Sequence, residues 1–288
     1  MEIRPKFMAI GLLVSSVVVL QSCGKSTPPP SEESADPPMI SMESAIPEEQ
    51  PAKAFKLSIQ SKDAATGFVS EKPIEAVLTL EPTDGQALPK LKMKDTNFVT
   101  IGKDAKDFQR VKPTQSEDGK LQVTLNFPHN GDYEGCLQFT TNDGKNYTEI
   151  IPLQVGKGKS GIAALTPDKS FTKEVDGYTF QLVDAPATAS DKLISMPTIR
   201  ISKEQRPVSN IEPLDGKAGY AVLIKEGEED FQRTIPVTNQ SANKLYQQPV
   251  MFHVKVPEAG TYRLWAQFNI DGATHTVNYT FSVASPSA

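Results

Sequence analysis

The stretch from Gly260 to Val283 constrains this chain most, because an earlier stretch echoes it. Tyr262, Leu264, Ala266, Phe268 and Ile270 fall on one face of an extended strand, and Asp271-Gly272 supplies a turn. Val277, Tyr279, Phe281 and Val283 then alternate on a second strand. Period-two apolar spacing on both sides of Asp-Gly predicts a β-hairpin. The echo runs from Gly131 to Val155. Pro128, Tyr133 and Gln138-Phe139 match Pro257, Tyr262 and Gln267-Phe268 at a single offset of 129 residues. Upstream, Asp107-Phe108-Gln109-Arg110 matches Asp230-Phe231-Gln232-Arg233 at an offset of 123, and each is followed by a proline, Pro113 or Pro236. Two landmarks in the same order predict a duplicated domain, with the change in offset absorbed by loops.

A chain of 288 residues has room for about two domains. Its net charge of −5 and pI near 5.4 do not suit nucleic acid, which requires a basic face. Much of the acidity is local: Glu32, Glu33, Asp36, Glu43, Glu48 and Glu49 crowd one early segment, so the remainder is nearly neutral. Beyond the N-terminus no long segment has helical periodicity, and alternating Thr-rich runs predict strands.

Residues 1–23 read as an export signal, with Arg4 and Lys6 ahead of an apolar core from Phe7 to Leu20. That core suits a signal sequence and is short for a membrane span. It ends at Leu20-Gln21-Ser22-Cys23, which resembles the bacterial lipoprotein lipobox: an aliphatic residue, a variable one, a small one, then cysteine. The resemblance implies cleavage before Cys23 and a diacylglyceryl thioether on its sulfur, since only a thiol can take that group. Two or more acyl chains would anchor the protein stably in a membrane. Gly24 follows; the absence of Asp there, again by resemblance to lipoprotein sorting, favours the outer membrane in a cell that has one. Residues 24–53, rich in Pro, Ser and Glu, have too little apolar surface to offset their ordering entropy and are expected to be a disordered tether.

Domain 1 is expected over residues 54–155. Its first strands are Phe55-Leu57-Ile59 and Ile74-Ala76-Leu78-Leu80. Phe98 to Ile101 and Leu121-Val123-Leu125-Phe127 follow, and the echo hairpin closes the domain. Residues 156–169 read as a Gly- and Lys-containing linker; they lack the phosphate-loop spacing. Domain 2 is expected over 170–284. It starts with Tyr178-Phe180-Leu182, then an apolar run from Ile194 to Ile201, a loop at Pro207–Leu214 and a continuously apolar strand at Tyr220–Ile224. Val250-Phe252-Val254-Val256 and the closing hairpin complete it. About seven short strands per copy make the expected fold class all-β, with two tandem immunoglobulin-like sandwiches. Tyr133 and Tyr262 resemble the tyrosine corner of Greek-key sandwiches.

Residues 207–283 resemble a family of bacterial extracytoplasmic β-sandwich domains found in heavy-metal-handling proteins and lipoproteins. The resemblance is carried by Pro207-Val208, Ile211-Glu212-Pro213-Leu214, Gly219 to Ile224, Asp230-Phe231, Pro236, Val256-Pro257, Gly260-x-Tyr262-Arg263-Leu264-Trp265-x-Gln267-Phe268, and Asp271-Gly272 before His275-Thr276. It implies a sandwich fold and a metal site built from a His near the position of Tyr220 and a His-x-His ahead of the proline. Here the latter positions hold Arg233-Thr234-Ile235, and Arg110-Val111-Lys112 in the first copy. Arginine does not ligate metal at ordinary pH. Only His129, His253 and His275 remain. His253 and His275 are the weak metal candidates, and the plainer reading makes them satisfied surface or edge histidines.

Two readings of the repeated Asp-Phe-Gln-Arg stand side by side. In one, Phe108 and Phe231 plug the end of each sandwich, with Asp and Arg pairing across the loop. In the other, Arg110 and Arg233 read a carboxylate or phosphate on a partner. Trp265, the single tryptophan, lies opposite Tyr262 and Leu264 in phase, which makes it an interdomain or partner contact; in the alternative phase it is core. Cys136 has the same outward phase and, with Cys23 lipidated, no cysteine to pair with; it reads as a small buried hydrophobe, or else as a reactive or metal-binding thiol. No nucleophile elbow, zinc helix or nucleotide fingerprint is present. The expected function is therefore non-enzymatic and without cofactor: a lipid-anchored envelope protein that binds or supports another envelope protein. The alternatives are a metal-handling periplasmic protein with a remodelled site, or an accessory domain pair for an enzyme or transporter.

Overall fold

The computed structural model describes residues 54–63, 67–83, 93–142, 144–158, 164–227, 231–237 and 248–286, and not the side chains of Phe231, Arg233, Ile235 and Val237. The expected signal, lipidated Cys23 and tether lie outside the described residues, as does part of the linker.

The first copy contains β1 (Phe55–Ser61), β2 (Pro73–Pro82), β3 (Met93–Gly102), β4 (Phe108–Val111), β5 (Thr114–Gln115), β6 (Leu121–Asn126), β7 (Gly131–Thr141) and β8 (Asn146–Val155). They form two antiparallel sheets, β1-β2-β6-β5 and β4-β3-β7-β8. Alternation explains the packing: Ile74, Ala76 and Leu78 of β2 and Leu121, Val123 and Leu125 of β6 point inward. They meet Phe98, Tyr133, Leu137 and Phe139 of the facing sheet.

The second copy contains β9 (Thr172–Val175), β10 (Tyr178–Val183), β11 (Ser190–Ser195), β12 (Thr198–Lys203), β13 (Arg206–Pro207), β14 (Tyr220–Lys225), β15 (Phe231–Val237), β16 (Val250–Val256), β17 (Gly260–Ile270) and β18 (Ala273–Val283). Eight of its strands are bonded in the order β18-β17-β14-β15-β16-β12-β10-β9, while β11 pairs with β16 and β13 with β12. The core gathers Phe180, Ile199, Phe252, Leu264, Phe268 and Tyr279.

Every pairing of the first copy recurs in the second, with β1, β2, β3, β6, β7 and β8 replaced by β10, β12, β14, β16, β17 and β18. The strand between β3 and β6 changes sheets. In the second copy β15 pairs with β14 up to Thr234 and with β16 from Ile235. In the first copy the same passage is broken at Lys112-Pro113 into β4, on β3, and β5, on β6. The repeated proline thus stands where the chain leaves one sheet for the other, and it has no N–H to give to a ladder.

Two further devices recur. The Tyr133 hydroxyl donates to the His129 carbonyl at 2.9 Å and that of Tyr262 to the Glu258 carbonyl at 2.8 Å, each four residues upstream. These are the expected tyrosine corners. Gln109 Oε1 accepts the backbone N–H of Asn126 at 3.0 Å, and Gln232 Oε1 that of Lys255 at 2.8 Å. The closing hairpin turns at Asp271 and Gly272, with φ of 52° and 75°. Positive φ at both central residues matches the strand twist, and Asp-Gly tolerates it.

Two sequence expectations are corrected. The apolar run from Ile194 to Ile201 is two strands, divided at Met196-Pro197, where the Pro197 carbonyl accepts the Phe252 N–H at 3.0 Å. β9, reading Thr-Lys-Glu-Val, carries no strand signal in the sequence because it lies at the end of the strand order and has no apolar alternation.

Candidate functional site: the seam between the two sandwiches

The outward phase of β7 and β17 leaves each sandwich with a second apolar face. β3 and β7 present Val99, Ile101 and Cys136; β14 and β17 present Tyr220, Val222, Ile224 and Trp265. These side chains form one buried cluster with Leu214, and Phe108 and Ile150 pack against it. Both sandwiches belong to a single compact unit, and this seam joins them.

Strand register orders the seam in three tiers. Asn97 pairs with Gln138, Val99 with Cys136 and Ile101 with Glu134 across β3 and β7. Tyr220 pairs with Gln267, Val222 with Trp265 and Ile224 with Arg263 across β14 and β17. Each member of the second set sits 123 residues beyond its β3 counterpart or 129 beyond its β7 counterpart. The copies therefore face each other with equivalent residues, as the halves of an isologous interface do.

In the middle tier Phe108 lies flat on Trp265, ring centroids 5.2 Å apart and planes 13° from parallel. Such a pair contributes about 0.5–1.5 kcal/mol beyond the burial of its area. Phe108 thus packs across the seam and does not plug the end of its own sandwich. Arg110, two residues on and on the same face, places its guanidinium carbon 4.6 Å from the centroid of the Tyr220 ring. Its Nη2 donates to Asp215, and Lys112 Nζ lies 3.3 Å from the same carboxylate. The side chain of Arg110 is 8% exposed and that of Asp215 16%, so the pair is largely desolvated. In the third tier Arg263 Nη1 donates to the Ala105 carbonyl at 2.6 Å and its Nε to Thr280 Oγ1 at 2.8 Å. Burial lowers the guanidinium pKa, while Asp168 and Asp104 oppose the shift; arginine remains charged across the ordinary range.

Of the residues singled out in the sequence, the seam brings together Arg110, Trp265 and the fully buried Cys136. Asp107 does not pair with Arg110; its carboxylate shares the single Tyr133 hydroxyl proton with the His129 carbonyl and faces His129 Nδ1 at 3.0 Å. Arg233 pairs through its backbone with Val222, as Arg110 does with Val99; its side chain lies outside the described residues. His253 and His275 are both buried rather than at the surface. They sit on β16 and β18, with β15, β14 and β17 between them in bonded order. His275 Nδ1 is 2.9 Å from Asp176 and its Nε2 3.3 Å from the Ile270 carbonyl, a tie between two hairpin turns. Among the described residues no three His, Cys, Asp or Glu side chains are grouped so as to hold a metal ion.

Asp215, Tyr220, Gln138 and Gln267 were not singled out as partners across the seam. The available signal was the pair of offsets: it makes the outward residues of β3 and β7 equivalent to those of β14 and β17, so two matching apolar faces each need a cover.

Residues 173–285 match a family model described as a domain of unknown function, DUF8832, which covers less than half of the chain. No curated protein sequence matches the chain. Solved structures with similarity include the fibronectin(III)-like modules of CbhA from Clostridium thermocellum, at 13% identity and a TM-score of 0.22, with 79% of this chain and 95% of that one covered. Trypsin-activated alpha-2-macroglobulin from Escherichia coli is similar at 11% identity and a TM-score of 0.26 over 81% of this chain, which spans only 16% of that protein. The Escherichia coli adhesin FdeC is similar at 15% identity and a TM-score of 0.26, with 81% of this chain and 66% of that one covered.

Proposed function

We propose that this chain is a non-enzymatic, lipid-anchored envelope protein that presents its two sandwiches as one body and serves as a binding or structural module for another envelope component. The observation that carries this reading is the seam. Arg110 and Trp265, the side chains best suited to grip a partner, are spent holding the copies together. A rigid pair of sandwiches suits display and support.

The contact for a partner is then sought elsewhere. Among the described residues the exposed large apolar side chains are Leu193, at 70%, and Met196, at 47%. They lie on and just after β11, in the segment that connects β10 to β12. The corresponding connection of the first copy, between β1 and β2, turns Phe68 and Val69 inward onto its own core. The second copy's connection turns the small Ala185 and Ala189 inward but leaves its large apolar side chains outward, which supports a contact role for Leu193 and Met196.

Replacing both with Asp in the full chain is expected to leave the unfolding free energy within about 0.5 kcal/mol and to remove the partner that co-purifies from envelope extracts. Recovery of the same partner would count against the contact. Cys23→Ser is expected to move the protein out of the membrane fraction; unchanged fractionation defeats the anchor. Stoichiometric copper or zinc in the purified, tag-free protein, lost in a His253→Ala/His275→Ala variant, would favour metal handling instead.

A further inference from the structure

The first tier of the seam is polar where the middle tier is apolar. Asn97 and Gln138 stand side by side in one copy, Tyr220 and Gln267 in the other. The Tyr220 hydroxyl crosses the seam and donates to Gln138 Oε1 at 2.8 Å. The reciprocal crossing would run from position 97 to Gln267, but position 97 holds a side chain much shorter than tyrosine. Asn97 instead turns its Nδ2 back to the Asp95 carbonyl at 3.2 Å. Gln267 Nε2 donates to Thr276 Oγ1 at 3.0 Å.

This leaves Asn97 Oδ1, Gln138 Nε2 and Gln267 Oε1 buried without a hydrogen-bond partner. The residues are 0%, 1% and 8% exposed. Turning the amides over does not cure the deficit. A carbonyl accepts only, so the Asn97–Asp95 contact fixes the Asn97 orientation. Tyr220 and Thr276 carry hydroxyls that either donate or accept, so flipping Gln138 or Gln267 exchanges one unpartnered atom for another.

We propose that this tier is an internal water-binding site, in which at least one water molecule bridges Asn97 Oδ1, Gln138 Nε2 and Gln267 Oε1. The chemistry selects the guest. Two acceptors and one N–H donor require a molecule that donates twice and accepts at least once. Water does both in the smallest volume. With the amides oriented as here, a metal ion or ammonium ion offers nothing to the Gln138 N–H, and an anion offers nothing to the two carbonyl oxygens; water, which both donates and accepts, also suits the flipped amides. At this tier the copies are joined partly through solvent.

The test is a rotating-frame Overhauser measurement on the full, isotope-labelled chain, which separates dipolar contact with water from proton exchange. Long-lived water cross-peaks are expected at the Gln138 side-chain amide. They should vanish in an Asn97→Leu/Gln267→Leu variant whose Trp265 indole resonance, unmoved, reports an intact seam. Absence of the water peak in the unmodified protein overturns the site, as does a direct Overhauser contact between the Gln138 and Gln267 amides in its place. Should the double variant fail to fold, the measurement on the unmodified protein decides alone.

Discussion

Phe108 and Trp265 stack face to face, although one belongs to the first sandwich and the other to the second. Position 108 has its counterpart at 231, and Trp265 has its counterpart at Cys136. The contact equivalent to this pair would join position 231, also a phenylalanine, to Cys136, so only the Trp265 side of the pair differs between the copies.

Because Trp265 is the only tryptophan, this stack can be read optically. Phe108→Ala is expected to shift Trp265 emission to the red. It should cost up to about 3 kcal/mol, at the lower end for a phenylalanine truncation because Phe108 is only half-buried. The first sandwich's core contains neither residue. Loss should therefore appear as separation of one unfolding transition into two, measured by combined fluorescence and calorimetry.

The ion pair across the seam should respond asymmetrically. Arg110→Ala leaves Asp215 with Lys112 nearby, at an expected cost of about 1–2 kcal/mol. Asp215→Ala leaves a guanidinium buried over Tyr220 without its carboxylate, at an expected cost of about 3 kcal/mol. Urea unfolding of both single variants and the double variant measures the difference. Equal costs would show that Lys112 contributes nothing.

Gln109→Ala and Gln232→Ala each remove one acceptor from a backbone N–H of the following strand. Each is expected to cost about 1 kcal/mol, and the double variant about the sum, since the two share no partner. Unfolding midpoints at unchanged denaturant slope check both statements.

Alkali should weaken the fold through two buried phenols. Burial raises the Tyr133 pKa, helped by the adjacent Asp107 carboxylate, and burial raises that of Tyr279, helped by Asp168. In the unfolded chain a tyrosine ionises near pH ~10. A folded pKa above that value gives a contribution fully present below about pH 10 and lost as pH rises toward the folded pKa. Stability is expected to fall from about pH 10 upward, with tyrosinate absorbance from these two residues appearing only on unfolding. Tyr133→Phe should flatten that fall by one group.

Much of the fold was legible because strand burial alternates. The inward residues of β2, β6, β7 and β17 announce themselves, and Asp271-Gly272 fixes the register of the last hairpin. The repeat was legible for the same reason that it folds twice: Tyr133 and Tyr262 close the same corner, and Gln109 and Gln232 bind the same backbone group. What the sequence did not disclose were contacts between copies. The partner of Arg110 is Asp215, in the connection before β14, and no period or spacing links the two. β11 and its exposed Leu193 and Met196 were hidden because an outward bulge and an inward strand look alike in an apolar run.

The seam has one more consequence. Each sandwich has one face of this kind, and each face is covered by its counterpart, so the arrangement terminates itself at two. A third sandwich added to the chain would find no matching surface and would hang from its linker. Any larger assembly is therefore built through surfaces other than this seam.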